Sequence, residues 1–335
     1  MSTVTHPIDK GPRGRVPARG LAGERERDSM LPYHAYRVAE ALVRVLPRRA
    51  AYSLSDVCVE VLRLVHPGSV AGLRSNLAHV LPDASPRELA GVVRRNLHDL
   101  GRTWVDVMAM RFEGEHVSDN LTVQDVDRYV AAFERGRGVA VISLHLGSWE
   151  RGLAAGNSLG YPMALLAEYL RPPQLFQRVV GSRVAQGVRV VPIDIDAIRR
   201  GDETTARRLG AAAMREVLRI LKGGGAIALA MDRDLVGNGE PFTFFGAEAR
   251  FPIGVVDVAM RAGSAILPIT LPRVPGGTAA AVHPEIPWDP DAPRPQEIRR
   301  VVAEILRVFE QAIREYPEQW HVLDPVWESP GGPRR

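Results

Sequence analysis

One cysteine, Cys58, occurs in 335 residues. A single thiol excludes an intramolecular disulfide and a cage of cysteine ligands, and it suits a reducing compartment. The histidines are scattered without metal-ligand spacing, so no metal is expected. No apolar run approaches the roughly 20 residues of a spanning helix, and the N-terminus lacks the apolar core of a signal peptide. Any membrane contact is therefore expected to be peripheral. Aromatic residues make up 6%, with no strip of alternating basic and aromatic side chains on which single strands would stack, so no nucleic-acid partner is expected. Lysine is almost missing: of 43 basic residues only Lys10 and Lys222 are lysine. The arginine-heavy balance leaves a net charge of +4 and a pI near 9.5, which favours anionic partners such as lipid headgroups, phosphates or a nucleotide tail.

The remaining composition, 45% hydrophobic and 24% charged, is that of an ordinary globular protein. The length is enough to bury a large core. Residues 1–30 are rich in Gly, Pro, Arg and Glu without periodicity and predict a disordered tail; 328–335 predict another. Residues 31–327 are expected to form one α/β domain, with a helical part over 31–112. Within it, Ala35, Val38, Ala39, Leu42, Val43 and Leu46 recur at helical spacing over 31–48, with Arg37, Arg44, Arg48 and Arg49 beside them. That pattern fits a helix packed on the core with arginines reaching outward, or one lying in a membrane interface over anionic headgroups. Further helices are predicted over 52–65, 69–80 and 86–110, the last started by Ser85 ahead of Pro86. From about residue 121 strands and helices alternate. Strands are predicted at 121–123, 139–144, 163–167, 188–192, 226–231, 265–271 and 278–283, and helices at 124–135, 148–158, 173–186, 203–222, 254–262 and 295–315. This order implies a central, mostly parallel or mixed sheet flanked by helices.

Residues 138–150 are the centre of this plan. Val139 to Leu144 is a short apolar run fit for a buried parallel strand, and His145 stands where it stops, at the end where open α/β sheets gather ligands. Ser148 is placed to cap the next helix, and Glu150 falls in its first turn. A second apolar run, Ala226 to Met231, ends abruptly in Asp232-Arg233-Asp234. If the two strands are neighbours, an acid meets the imidazole, fixes one tautomer and leaves the other nitrogen to act as a base. Glu150 and Asp232 compete for that role, and Asp232 is favoured because Glu150 rides on a helix turning away. Glu168 ends the strand at 163–167, followed by Arg171, Arg178 and Arg183, which are either surface ion pairs or binders of an acidic group.

Three other patterns have plainer explanations. Gly156-Asn-Ser158-Leu-Gly160 matches G-x-S-x-G, but a helix enters it and a strand leaves, the reverse of a nucleophile elbow. Lys222-Gly-Gly-Gly225 lacks the rest of a phosphate loop and reads as a helix-to-strand turn. Phe244-Phe245 through Gly254, after the glycine-rich Val236–Gly239 stretch, suggests either a lid or channel wall or a loop tucked into the core.

His145-Leu-Gly-Ser-Trp-Glu150 resembles the H-x-x-x-x-[DE] block of the bacterial lysophospholipid acyltransferase superfamily. The resemblance is to the branch with the lipid A late acyltransferases and the phosphatidylinositol mannoside acyltransferases. Glu168 in Leu-Leu-Ala-Glu-Tyr-Leu-Arg-Pro, Arg183 before Val-Ala-Gln-Gly, Asp232-Arg-Asp-Leu, Phe244-Phe-Gly through Pro252-x-Gly254, Asn76-Leu and Tyr316-Pro-Glu-Gln-Trp320-His321 agree in order. Ser148 departs from the Asn of many relatives. The resemblance implies a glycerol-3-phosphate-acyltransferase-like fold and a peripheral enzyme on the cytoplasmic face of the cell membrane. Such an enzyme moves a fatty acyl chain from acyl-CoA or acyl carrier protein, as co-substrate, to a glycolipid hydroxyl, first of all that of a phosphatidylinositol mannoside. It implies His145 as general base, Asp232 or Glu150 as its orienting acid, and Glu168 and Arg183 as holders of headgroup or donor phosphates. Arg233, or the backbone N–H groups of 146–148, would face the oxyanion. No cofactor is expected. A lipid A-type or other lysolipid acyltransferase, a non-catalytic lipid binder and a hydrolase using Ser158 are the alternatives.

Overall fold

The computed structural model describes residues 29–65, 70–158, 163–201, 203–234 and 236–327; of the expected tails, 1–30 and 328–335, all but Ser29 and Met30 lie outside them. Four helices come first, α1 (Leu31–Val45), α2 (Arg48–Val65), α3 (Ala71–Val80) and α4 (Pro86–Glu113). α4 starts as predicted. The Glu88 N–H donates to the Ser85 hydroxyl, the Ser85 N–H donates to the Glu88 carboxylate, and Pro86 fills the first turn. α1 stops at Val45 just before Pro47, and α2 begins at Arg48, earlier than the apolar spacing alone indicates. α1 packs inward through Tyr36 and Glu40, whose carboxylate accepts from Arg178, yet Leu31, Val38 and Val45 stay exposed. α2 likewise exposes Val57, Val61, Leu64 and Val65.

Strands and helices then alternate: β1 (Leu121–Gln124), α5 (Val126–Glu134), β2 (Val139–Ser143), α6 (Trp149–Ser158), β3 (Met163–Glu168), α7 (Pro173–Ala185), β4 (Arg189–Ile193), α8 (Ile195–Arg200), α9 (Glu203–Lys222) and β5 (Ala226–Ala230). A hairpin, β6 (Glu240–Phe244) and β7 (Ala247–Phe251), precedes α10 (Gly254–Ala262), β8 (Ala265–Thr270), β9 (Arg273–Val274), β10 (Gly277–Val282) and α11 (Arg294–Glu315). The main sheet runs β1-β10-β8-β2-β5-β3-β4, with β9 on β10. β8, β2, β5, β3 and β4 are mutually parallel and β10 is antiparallel to β8, so the sheet is mixed. All five residues of β2 are buried, because the sheet is covered on both faces. Ala140, Ile142, Ile227 and Leu229 pack against α9, α10 and α11. Val139, Val141, Ala226 and Ala228 point the other way, to α5, α6 and α7.

The hairpin settles the phenylalanine-rich segment in favour of core packing. Phe245 (φ 48°) and Gly246 (φ 79°) make a two-residue turn of positive φ, which matches the strand twist. Phe242, Phe244 and Phe251 are buried, and Phe244 meets Trp320 and Trp327. The glycine runs behave as turns: Gly224 and Gly138 have positive φ between helix and strand. Ser158 is the last residue of α6, and Gly160 lies outside the described residues.

The helical part holds the last stretch of described chain through two buried asparagines. Asn76 donates to the carbonyls of Val322 (3.0 Å) and Asp324 (2.8 Å) and accepts from the Val326 N–H (2.9 Å). Asn96 donates to the carbonyl of Trp320 at 2.8 Å. Asn76→Ala strands buried backbone groups, each worth about 1–3 kcal/mol. A fall of about 2 kcal/mol or more is expected in urea denaturation; an unchanged midpoint would show that the clamp carries no stability.

Candidate active site

β2 and β5 are hydrogen-bonded neighbours, with Val139 opposite Ala226 and Ser143 opposite Ala230. Continued two residues past each strand, that register sets His145 opposite Asp232. The contact is made: His145 Nδ1 lies 2.7 Å from Asp232 Oδ1, and the His145 backbone N–H donates to Oδ2 at 2.9 Å. The Trp320 indole N–H donates to the same Oδ2, also at 2.9 Å. Trp320 and Asp232 are wholly buried, whereas the His145 side chain is 22% exposed. Burial by itself raises the Asp232 pKa. The His145 imidazole, its hydrogen bonds and the Arg233 charge outweigh this and hold the carboxyl below its ordinary value. An ionised Asp232 takes the Nδ1 proton as a hydrogen bond, so Nε2 presents its lone pair to the cavity.

Glu150 is the acid that does not reach the imidazole. It is buried on α6, where Arg183 of α7 holds it through two hydrogen bonds, Nε to Oε2 at 2.8 Å and Nη2 to Oε1 at 2.5 Å. Burial works against the Arg183 charge, but Glu150 overcomes it and raises the guanidinium pKa. Of the two acids weighed for His145, Asp232 is the one bonded to the ring. Arg183, expected to hold a headgroup or donor phosphates, directs Nε and Nη2 at Glu150, and the pair joins α6 to α7. Both residues still border the cavity.

Arg233 stands beside the outer nitrogen of His145. Its Nη2 stands 3.5 Å from His145 Nε2 and 3.9 Å from Glu168, and its buried Nε has no hydrogen-bond partner. The backbone N–H groups proposed as alternatives are occupied. Leu146 donates to Leu144, Gly147 to Gln319 and Ser148 to Leu271. Gly147 is held at φ +61°, where a Cβ would lie 2.4 Å from the Leu271 oxygen, so this turn needs glycine. The Ser148 hydroxyl points to Asp106 of α4 (3.3 Å).

The histidine opens on a cavity of about 890 Å³. Glu168, Arg233, Asp234, Asn238 and Asp324 give it polar groups; Ile195, Ile198, Met214 and Val255 form an apolar lobe between α8, α9 and α10. Leu100, Trp104 and Val107 of α4 also line it, and Trp149 stands edge-on to His145, 5.9 Å between ring centroids. Sequence reasoning missed the groups that carry this frame. The His321 N–H donates to the His145 carbonyl at 2.7 Å, and its ring lies 3.1 Å from Asp99. Arg273 bridges Asp99 (2.8 Å) and Asp106 (2.7 Å). The sequence signal available for these was the Trp320-His321 pair and the acids spaced along α4. Among the described residues no group of three or more His, Cys, Asp or Glu side chains is placed to hold a metal.

The profile of the bacterial lipid A biosynthesis acyltransferase family matches residues 26–329. The chain belongs to that family. It is an acyltransferase. It is 27% identical over 294 residues to a phosphatidylinositol mannoside acyltransferase of Mycolicibacterium smegmatis, covering 87% of this chain and 90% of the relative. To the protein of that name from Mycobacterium tuberculosis it is 26% identical over 304 residues, covering 88% and 87%. In this acyltransferase His145 borders a cleft at the strand ends, the place where open α/β sheets gather ligands.

Two outcomes follow from this geometry. Trp320→Phe deletes one donor to a buried carboxylate, a bond of about 1.5–3 kcal/mol. Turnover is expected to fall about tenfold or more with little change in KM, measured by steady-state acyl transfer on a variant that still folds. Asp232 and Asp99 both have lowered native pKa values. The stabilisation they supply is complete above the unfolded carboxylate pKa of about 3.9 and is lost as pH falls through the native values. The urea midpoint should therefore drop steeply below about pH 4, and Asp232→Asn should flatten that drop.

Proposed function

We propose that this acyltransferase moves a fatty acyl chain from a thioester, acyl-CoA or acyl carrier protein, to a sugar hydroxyl of a membrane glycolipid. The acceptor class we assign is phosphatidylinositol mannoside, the acceptor named for its mycobacterial relatives. The observation that carries the reading is the His145–Asp232 pair opening on a cleft lined by both polar and apolar side chains.

A hydroxyl is a poor nucleophile until a base takes its proton. His145 Nε2 accepts that proton as the acceptor oxygen bonds to the thioester carbon; Asp232 steadies the imidazolium from the far side. The carbonyl oxygen becomes an oxyanion, and Arg233, the cation nearest Nε2, supplies hydrogen bonds and charge. Collapse breaks the carbon–sulfur bond, and the departing thiolate takes the proton back from Nε2. The products are an ester and a free thiol, with His145 neutral again. No enzyme nucleophile is needed. Glu168, Asp234 and Asn238 suit sugar hydroxyls, while the lobe of Ile195, Ile198 and Met214 suits the donor chain.

No described helix is long and apolar enough to cross a membrane. What supports peripheral docking is the exposed apolar surface of α1 and α2: Leu31, Val38, Val45, Val57, Val61, Leu64 and Val65. Arg48, once a candidate for headgroups, is engaged by Asp106 and Glu113 instead.

His145→Ala should reduce transfer from acyl-CoA to phosphatidylinositol mannoside by about 100- to 10,000-fold. Transfer that survives unchanged would remove the mechanism. Because α1 is tied to α7 through Glu40, its deletion would disturb the fold, and point changes are the cleaner probe of docking. Val38→Glu with Val57→Glu should shift the protein from pelleted anionic vesicles to the supernatant; equal pelleting would place docking elsewhere.

A further inference from the structure

A second apolar space lies outside the cleft. It is a groove of about 480 Å³ between α1, α2 and α4, walled by Leu42, Leu46, Leu54, Leu62, Leu97 and Met108. Its polar lining is slight: Ser55, Cys58 and Arg63, the last already paired with Glu60. Leu42, Leu54 and Leu62 are exposed in it, so the helices leave it unfilled. The groove is not isolated. Leu100, Trp104 and Leu323 border both it and the His145 cleft, and Trp104 and Leu323 are themselves exposed.

We infer that this groove binds one fatty tail of the lipid acceptor during transfer. The inference rests on the acceptor being a membrane lipid, as proposed above. Each methylene drawn from hydrocarbon into water costs about a fourfold factor in equilibrium. An acceptor whose headgroup must climb to His145 cannot expose a long tail on the way. The groove meets that constraint. One side lies among the exposed apolar residues of α1 and α2, and the other runs into the cleft across Leu100 and Trp104. Headgroup and tail thus stay in continuous contact with protein of matching polarity. Ile195, Ile198, Met214 and Val255 of α8, α9 and α10 line the cleft but not the groove, so the donor chain is left a separate apolar surface.

Cys58 provides the test, because it is exposed on the groove wall and is the chain's one cysteine. The full chain is labelled with pyrene maleimide, with reagent-treated Cys58→Ser as control. Three quantities are measured: acyl transfer to a two-tailed phosphatidylinositol mannoside in mixed micelles, thioester hydrolysis without acceptor, and pelleting with anionic vesicles. The expected result is a tenfold or greater loss of kcat/KM for transfer, carried mainly by KM, with hydrolysis and pelleting unchanged. If transfer and hydrolysis fall together, the label has reached the donor side and the inference fails. If transfer falls only in step with pelleting, the groove is part of a docking face and no tail site. Undiminished transfer overturns it directly. An unlabelled enzyme idle on this glycolipid but active on another two-tailed lipid would refute the acceptor assignment alone, and the label is then read on that lipid.

Discussion

A carboxylate with no access to water is held ionised at the centre of this protein, and the surrounding frame is arranged to satisfy it. Asp232 receives three hydrogen bonds, two from His145 and one from Trp320. A buried charge without such partners would be neutralised by protonation, and the imidazole would lose the partner that fixes its tautomer. The three donors come from the end of β2 and from a segment 88 positions after Asp232. Their convergence depends on the β2–β5 register. A slip of one residue would turn every side chain of either strand to the opposite face.

The second ion pair has a different task. Glu150 and Arg183 neutralise each other through two hydrogen bonds while both border the cleft. They join α6 to α7 directly behind the loop that carries His145. Arg273, with Asp99 and Asp106, does the same between α4 and the far edge of the sheet. The histidine is thus gripped from both sides, while its outer nitrogen and the Arg233 guanidinium remain directed at the cleft.

The alternation of helix and strand, the two runs ending at His145 and Asp232, and the start of α4 were legible because each has a local cause. Period, capping chemistry and a shift from apolar to charged residues are all written in consecutive positions. The β6–β7 hairpin was not. Pro241 weakens it as a strand signal, and Phe245 occupies a positive-φ position where Asn or Asp is usual before Gly. The short helix α8 was missed as well, lying in a stretch of Ile and Asp without clear period. The choice between Glu150 and Asp232 depended on strand order, which no window of sequence contains. The partners of Arg183 and the roles of Trp320, His321 and Asn96 depend on contacts between distant segments, so spacing could not reveal them. The exposed apolar side of α1 has the same origin: helical spacing shows a stripe, but only packing shows how much of it stays uncovered.

The clamp made by Asn76 and Asn96 sets an order of events in the life of the polypeptide. Trp320 is synthesised 88 positions after Asp232, with His321 next to it, yet the two bond to the aspartate and to the His145 carbonyl. Until they dock on the early helices, Asp232 lacks its indole donor and α4 lacks its cover. A chain released before that point therefore carries the histidine and the aspartate without the indole that donates to Asp232 or the His321 N–H that donates to the His145 carbonyl.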